Sequence, residues 1–384
     1  RWDSVFTLVG TLVEDDMWAL VRAQLSEDIE NYMIDKPVSL LAKWMPSENA
    51  SSYEGKKLAI KTAQKLGLTM RNYRKMLSAL RKYLDVVERK MSSGQFTEID
   101  YEKVPSVAMN RYRKAFARND SEGFDKYMQL VKAGQKKIQA SVLYPYDIVE
   151  KYLYGRGWYY GNYSEVDDVL EEQWKALPNY AQGENNFLVM ADVSGSMGGR
   201  PMATSIGLAI YFAERNRGAF KNMYMTFTSS PNYVVIKPTD SLLSKINQVK
   251  RTGMGYSTNL EAAFNRILRT AVENRVSQED MPKALIVVSD MEINQYMRPG
   301  AHWDFIDTMK LKFAAYGYTL PTCVMWQVDA RQDTFLSQGD DVLFVSGQSV
   351  STFKNLVGSL EGKTPYDFMV EVLSDPIYDC VKVD

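Results

Sequence analysis

Cysteine and histidine are almost absent from this sequence of 384 residues, which holds two cysteines, Cys323 and Cys380, and one histidine, His302. No C-x-x-C occurs, so neither a disulfide framework nor a cysteine-based zinc site is supported. A single imidazole also removes His-rich metal sites and the Ser-His-Asp and Cys-His arrangements. His302 stands in a polar stretch flanked by Gly and Pro and reads as a surface-loop residue. Cys323 lies in an apolar run and reads as a buried thiol. No stretch of 18 apolar residues exists, so no membrane span is expected, and no signal-peptide pattern is visible. Two isolated thiols fit a reducing compartment, so a cytoplasmic location is expected, or a virion-associated one for a viral protein. With 46 Lys/Arg against 47 Asp/Glu, the whole-chain charge names no partner.

What is present is ample apolar material, 45% of residues, at a length that suggests two or three domains. Residues 1–151 read as helical. In 56–91, Leu58, Ile60, Ala63 and Leu66, then Tyr73, Leu77, Leu80, Leu84, Val87 and Met91, recur at three- and four-residue steps. Gly67 followed by Leu68-Thr69 reads as a stop and a fresh N-cap, giving two antiparallel helices. Further helices are expected at 11–33, 38–45, 105–118 and 121–133. Residues 152–183 read as an aromatic-rich linker. Within it, 152–163 holds six aromatic residues, three glycines and Arg156, which suits either rings packed between domains or a stacking platform for unpaired bases. The acid pairs Asp167-Asp168 and Glu171-Glu172 read as solvated.

From residue 184 the texture changes. Apolar runs at 187–193, 223–229, 233–238, 284–290, 322–329 and 341–347 alternate with helical patterns at 201–217, 240–250, 259–273, 303–316, 351–360 and 365–373. Continuous apolar strands alternating with helices predict a doubly wound, mostly parallel sheet covered on both faces. The short gap between 229 and 233 predicts a hairpin, hence one antiparallel edge strand.

In such a sheet, function gathers at the carboxyl ends of the strands. The first strand runs into Asp192-Val-Ser194-Gly-Ser196 and the fourth into Ser289-Asp290. Gly253-Met-Gly255-Tyr-Ser257-Thr258 opens a helix between them. Carboxylates and hydroxyls are oxygen donors, which suit hard cations such as Mg²⁺, Mn²⁺ or Ca²⁺, with Mg²⁺ first. The alternative is a capped strand-to-helix turn with no ion, which accounts for Ser194 and Ser196 but not for the whole set.

Asp192-x-Ser194-x-Ser196, the later Thr258 and Asp290 after an apolar strand resemble the metal-ion-dependent adhesion site of von Willebrand factor A domains. The resemblance implies direct ligation by Ser194 and Ser196, ligation by Thr258 directly or through water, and water-mediated roles for Asp192 and Asp290. YLDVVERKM (83–91), YEKVPSVAMNRYRKAFARND (101–120) and KIQASVLYPYDIV (137–149) resemble the TROVE-type helical module. In the Ro ribonucleoprotein family that module precedes a von Willebrand A domain. The chain is most similar to a related bacterial, viral and plant group of unknown function. The implied plan is α + α/β: a HEAT-like helical module over 1–151, the linker, and a von Willebrand A-like domain over 184–384. The implied partners are small structured or single-stranded RNA, or a protein offering a carboxylate to the metal, with no membrane partner. Only about 180 residues precede the sheet, so the closed ring of the Ro family is not implied.

Charge agrees with a polyanion partner. From Lys56 to Lys137 there are 20 Lys/Arg against 8 Asp/Glu. Candidate phosphate contacts are Lys57, Lys61, Lys65, Arg71, Arg74, Lys75, Arg81, Arg111, Arg113, Lys114 and Arg118. The same pattern also fits solvated helix faces. No nucleophile has a partner base. The expectation is therefore a non-enzymatic binding protein. The alternatives are a viral or multiprotein assembly component that uses the domain for docking and, as a minor reading, a metal-dependent nuclease.

Overall fold

Turn residues cut the N-terminal sequence into short helices, and apolar strands build the C-terminal half. The structure, a computed structural model, describes residues 2–154, 165–179, 186–252, 259–290, 301–329, 342–347, 350–360, 362 and 364–374. The first helices are α1 (Trp2–Val5), α2 (Glu14–Met33), α3 (Leu41–Trp44), α4 (Tyr53–Lys65), α5 (Met70–Tyr83), α6 (Val87–Ser92), α7 (Ser106–Asn119) and α8 (Ser121–Lys132). Then come α9 (Pro145–Tyr154), α10 (Asp168–Lys175), β1 (Asn186–Ala191), α11 (Arg200–Arg215), β2 (Met223–Thr226), β3 (Tyr233–Val235), α12 (Leu242–Thr252) and α13 (Leu260–Asn274). The last are β4 (Pro282–Ser289), α14 (Ala301–Ala314), β5 (Thr322–Gln327), β6 (Val342–Ser346), α15 (Val350–Leu360) and α16 (Pro365–Leu373). The chain divides into two compact units, Arg1–Val104 with Tyr112–Tyr127, and Pro105–Arg111 with Met128–Asp384.

In the first unit, Gly67 adopts φ +68°, and the Leu68 N–H returns to the Ala63 carbonyl at 2.9 Å, closing α4. Thr69 then caps α5 by accepting from the Asn72 N–H. The second expected helix is shorter than the periodicity suggests. Asp85 takes φ +49° and the helix restarts as α6 at Val87. Asp tolerates that conformation better than most residues, and the apolar spacing carries no sign of the break. Trp18, Val21, Leu41, Ala59, Tyr73, Leu77 and Leu80 form the core of this unit.

In the second unit the six strands lie in the order β3-β2-β1-β4-β5-β6. All pairs are parallel except the β2–β3 hairpin at the edge. This is the α/β half of the expected plan, a mostly parallel sheet with one antiparallel edge strand. Side-chain alternation along β1 sends Phe187, Val189 and Ala191 to one face, towards α11 and α12. Leu188 and Met190 point to the other, among residues of α13 and α14.

The segment before β1 is built into this unit. The boundary drawn at 151 falls inside α9, which lies along α11. A Cβ on Gly207 would come within 3.1 Å of Pro145 Cβ, so the missing side chain permits the approach. Asp167 caps α10 by accepting from the Leu170 N–H. Glu171 accepts from the Leu242 N–H at 2.7 Å, the Leu243 N–H at 3.3 Å and the Tyr152 hydroxyl at 2.9 Å. These two acids are structural, which corrects their reading as solvated. Of the aromatic run, Tyr152, Leu153 and Tyr154 are in α9; residues 155–163 lie outside the described residues. His302 falls within α14 rather than in a loop. Burial pushes the Cys323 thiol up to about 12, so it is inert. Among the described residues no helix is long and apolar enough to cross a membrane.

Candidate functional site

The strand order reverses direction between β1 and β4, the switch point where open α/β sheets bind ligands at the carboxyl ends of their strands. Register pairs Ala191 with Val288, and the Asp192 N–H continues the ladder to the Val288 carbonyl at 3.1 Å. Asp192 and the Ser289-Asp290 pair therefore leave adjacent strands side by side. Asp192 folds the following loop. Its Oδ1 accepts the Ser194 N–H at 2.8 Å, an Asx-type turn. The Ser194 carbonyl then accepts the Met197 N–H at 3.2 Å, closing a single 3₁₀ turn over Gly195–Met197. This turn brings the Ser194 and Ser196 hydroxyl oxygens to 3.1 Å of each other, both half-buried.

Asp192 and Asp290 are 2% and 5% exposed. Burial pushes the Asp192 carboxyl above its ordinary range, and the charge of Asp290 adds to the rise. Hydrogen bonds from the Ser194 N–H, the Ser289 hydroxyl and the Ser194 hydroxyl oppose it. Two buried neighbouring carboxylates are a poor arrangement alone and a good one around a cation. The donor chemistry also fits in size. Adjacent ligands of an octahedral ion with bonds of about 2.1 Å stand about 3.0 Å apart, close to the Ser194–Ser196 oxygen separation of 3.1 Å. Among the described residues no group of three or more His, Cys, Asp and Glu side chains is placed to hold a metal. The oxygen set here is of another kind, two carboxylates with hydroxyls. Thr258 and the Gly253–Gly255 loop lie outside the described residues. Asn259, which follows, caps α13 by accepting the Ala262 N–H, and its own N–H reaches the Thr228 carbonyl beyond β2.

Two partners of this loop escape sequence reasoning. Ser289 donates its hydroxyl to Asp192 Oδ2 at 2.7 Å, across the β1–β4 pair. Only the parallel register reveals that contact. Tyr154 accepts the Gly199 N–H at 2.9 Å at the start of α11. Gly199 has φ +96°, which excludes side chains there. Glu150 and Tyr146, also on α9, face Arg200 at 3.6 Å and 4.9 Å.

The expected basic residues are placed unequally. Lys57, Arg71 and Lys75 are exposed in the first unit. Lys61 and Lys65 are ion-paired with Glu14 at 2.7 Å and Asp15 at 3.4 Å, both in the first turn of α2. Arg74 pairs with Glu48 at 3.2 Å. Arg81 spends its guanidinium on the carbonyls of Ala42 and Met45 and on the Ser47 hydroxyl. On α7, Arg111, Lys114 and Arg118 are exposed, whereas Arg113 is 6% exposed. Arg113 thus drops out of the solvent-facing set, and half-buried Arg81 has its guanidinium already engaged.

Against known proteins, both parts of the chain meet family models. Residues 186–369 match a domain of unknown function, DUF7788. Residues 49–182 match a second domain of unknown function, DUF2828. A curated relative is the uncharacterized protein L728 of Acanthamoeba polyphaga mimivirus, 30% identical over 368 residues, covering 90% of this chain and 62% of that protein. The chain therefore spans less than two thirds of that relative's length. Among solved structures, the RO (RSR) protein of Deinococcus radiodurans is similar at 16% identity and a TM-score of 0.44, over 84% of this chain and 74% of that one.

Proposed function

We propose that this chain is a non-enzymatic, Ro-like binding protein. Its strand-end site takes up a divalent cation, Mg²⁺ first and Mn²⁺ or Ca²⁺ in its place, and presents it to an acidic ligand. Its basic helical region takes RNA or another polyanion. The observation that carries the reading is the meeting of Asp192, Ser194, Ser196 and Asp290 at the β1–β4 switch point. Ser194 and Ser196 would hold the ion directly, with Asp192 and Asp290 acting through waters and Thr258 completing the set. Largely neutral direct ligands leave the ion electron-poor, so it favours an oxygen anion from a partner.

Calorimetric titration with Mg²⁺ and Mn²⁺ tests the site. Wild-type protein binds one ion, and Asp192→Ala loses that binding while keeping its circular dichroism. Equal uptake by both proteins removes the metal role. For the helical region, RNA affinity at low salt must fall steeply as salt rises. The mimiviral relative keeps a second reading in view, a docking module of a viral assembly. Metal-dependent protein capture with no RNA binding at low salt favours it.

A further inference from the structure

A cleft of about 730 Å³ opens in the first unit between the Lys43–Asn49 segment, one face of α5 and the start of α6. That volume falls within the range of about 300–1,000 Å³ typical of small-molecule sites. Arg81 and Tyr73 build its wall: Arg81 grips the carbonyls of Ala42 and Met45, and the Tyr73 hydroxyl donates to the Pro46 carbonyl at 2.7 Å. Leu77 and Val86 supply an apolar lining. Lys43, Arg74 and Arg89 bring three cations to the same space. Arg74 already faces Glu48, whereas Lys43 and Arg89 make no ion pair among the described residues. Glu88 lines the cleft too. Its Oε1 accepts from the Tyr112 hydroxyl at 3.5 Å, and its Oε2 is buried and accepts no hydrogen bond. A buried carboxylate oxygen without a donor calls for an explanation, and a ligand donor is one.

We propose that this cleft binds a nucleoside phosphate, either free or as the end of an RNA strand. The phosphate sits on Lys43, Arg74 and Arg89, the base lies on Leu77 and Val86, and the Glu88 side chain turns so that Oε2 accepts from a base N–H. A phosphate satisfies the cations but offers Glu88 nothing, and a simple anion would be repelled by it. A base adds the missing donor. Guanine suits best, since its Watson–Crick edge presents adjacent imino and amino donors to a carboxylate. The assignment deepens the polyanion reading of the helical region by naming a site, and it does not depend on the metal site.

The test uses the full chain at low salt, with fluorescently labelled GMP as the probe. Unlabelled GMP, AMP, CMP, UMP, orthophosphate and a 5′-phosphorylated RNA decamer are competitors. GMP should compete about tenfold better than UMP, the discrimination expected of a good pairing with a base edge. Arg89→Ala, an exposed position, should weaken all nucleotides at least tenfold with unchanged melting temperature. Glu88→Gln should erase the preference for GMP while retaining phosphate-dependent binding. Competition by the decamer identifies an RNA end as the source; its failure beside bound GMP identifies the free nucleotide. No saturable GMP binding, or binding unchanged in both variants, overturns the cleft. Longer RNA that still binds in that case leaves the wider polyanion reading standing, so the two readings fail separately.

Discussion

Replacing Ser289 with Ala removes one atom from the candidate metal site and should weaken its ion. The Ser289 hydroxyl donates to Asp192 Oδ2 at 2.7 Å, and both residues are buried, at 1% and 2% exposure. A buried hydrogen bond to a carboxylate contributes about 1.5–3 kcal/mol. At 1.36 kcal/mol per factor of ten, that range corresponds to roughly 10- to 150-fold in affinity if all of it is felt by the bound ion. Outer partners of metal ligands typically account for about 10–100-fold. The lower part of that range applies here, because Asp192 Oδ1 keeps the Ser194 N–H at 2.8 Å and the loop keeps its turn. Titration calorimetry with Mn²⁺ on wild type and Ser289→Ala measures the effect, and circular dichroism checks the fold. Equal affinity within twofold in two equally stable proteins would show that Asp192 does not serve the ion.

Three further outcomes follow from named contacts. Tyr154→Phe deprives the Gly199 N–H of its acceptor and should cost about 1 kcal/mol in urea unfolding, less if water replaces the phenol; no loss would mean that α9 does not fix the start of α11. Glu171→Ala leaves the first two N–H groups of α12 uncapped. It should destabilise by about 1–2 kcal/mol, with Glu171→Gln losing less, and equal losses would refute the capping account. Lys61, then Trp18 and the Gly10 N–H, hold the Glu14 carboxyl down at about 2. A depressed carboxylate stabilises the fold above its ordinary value of about 4.3 and loses that contribution as pH falls towards 2. Lys61→Met should therefore raise the midpoint of acid unfolding followed by tryptophan fluorescence, and an unmoved midpoint would count against the pair.

Much of the sheet half is legible because its signals are local. The run into Asp192 and the run into Asp290 each mark a buried strand ending in a carboxylate, and β1 and β4 end close to those positions. The spacing of Asp192, Ser194 and Ser196 lies within one loop, so a resemblance can be seen without coordinates. The helical half is harder. The periodicity through Leu84 and Val87 continues across Asp85, because an apolar residue at the right spacing packs equally well on either side of a break. Charge is harder still. Lys61, Arg81 and Arg113 look alike in sequence, yet one is ion-paired, one is engaged by carbonyls and one is buried.

The sequence by itself determined the class of the fold, the oxygen chemistry at two strand ends and the excess of cations near the N-terminus. These follow from residue type and short-range spacing, which the chain carries in its order. Tertiary structure alone decided which groups meet. The parallel register set Ser289 beside Asp192, and the packing of α9 on α11 set Tyr154 beside Gly199. Three separate segments placed Lys43, Arg74 and Arg89 around one cleft. Such contacts join residues tens of positions apart, and nothing in their local sequence distinguishes them from neighbours that face water. Whether a carboxylate or a cation is available to a ligand depends on burial and partners, and those exist only once the chain is folded.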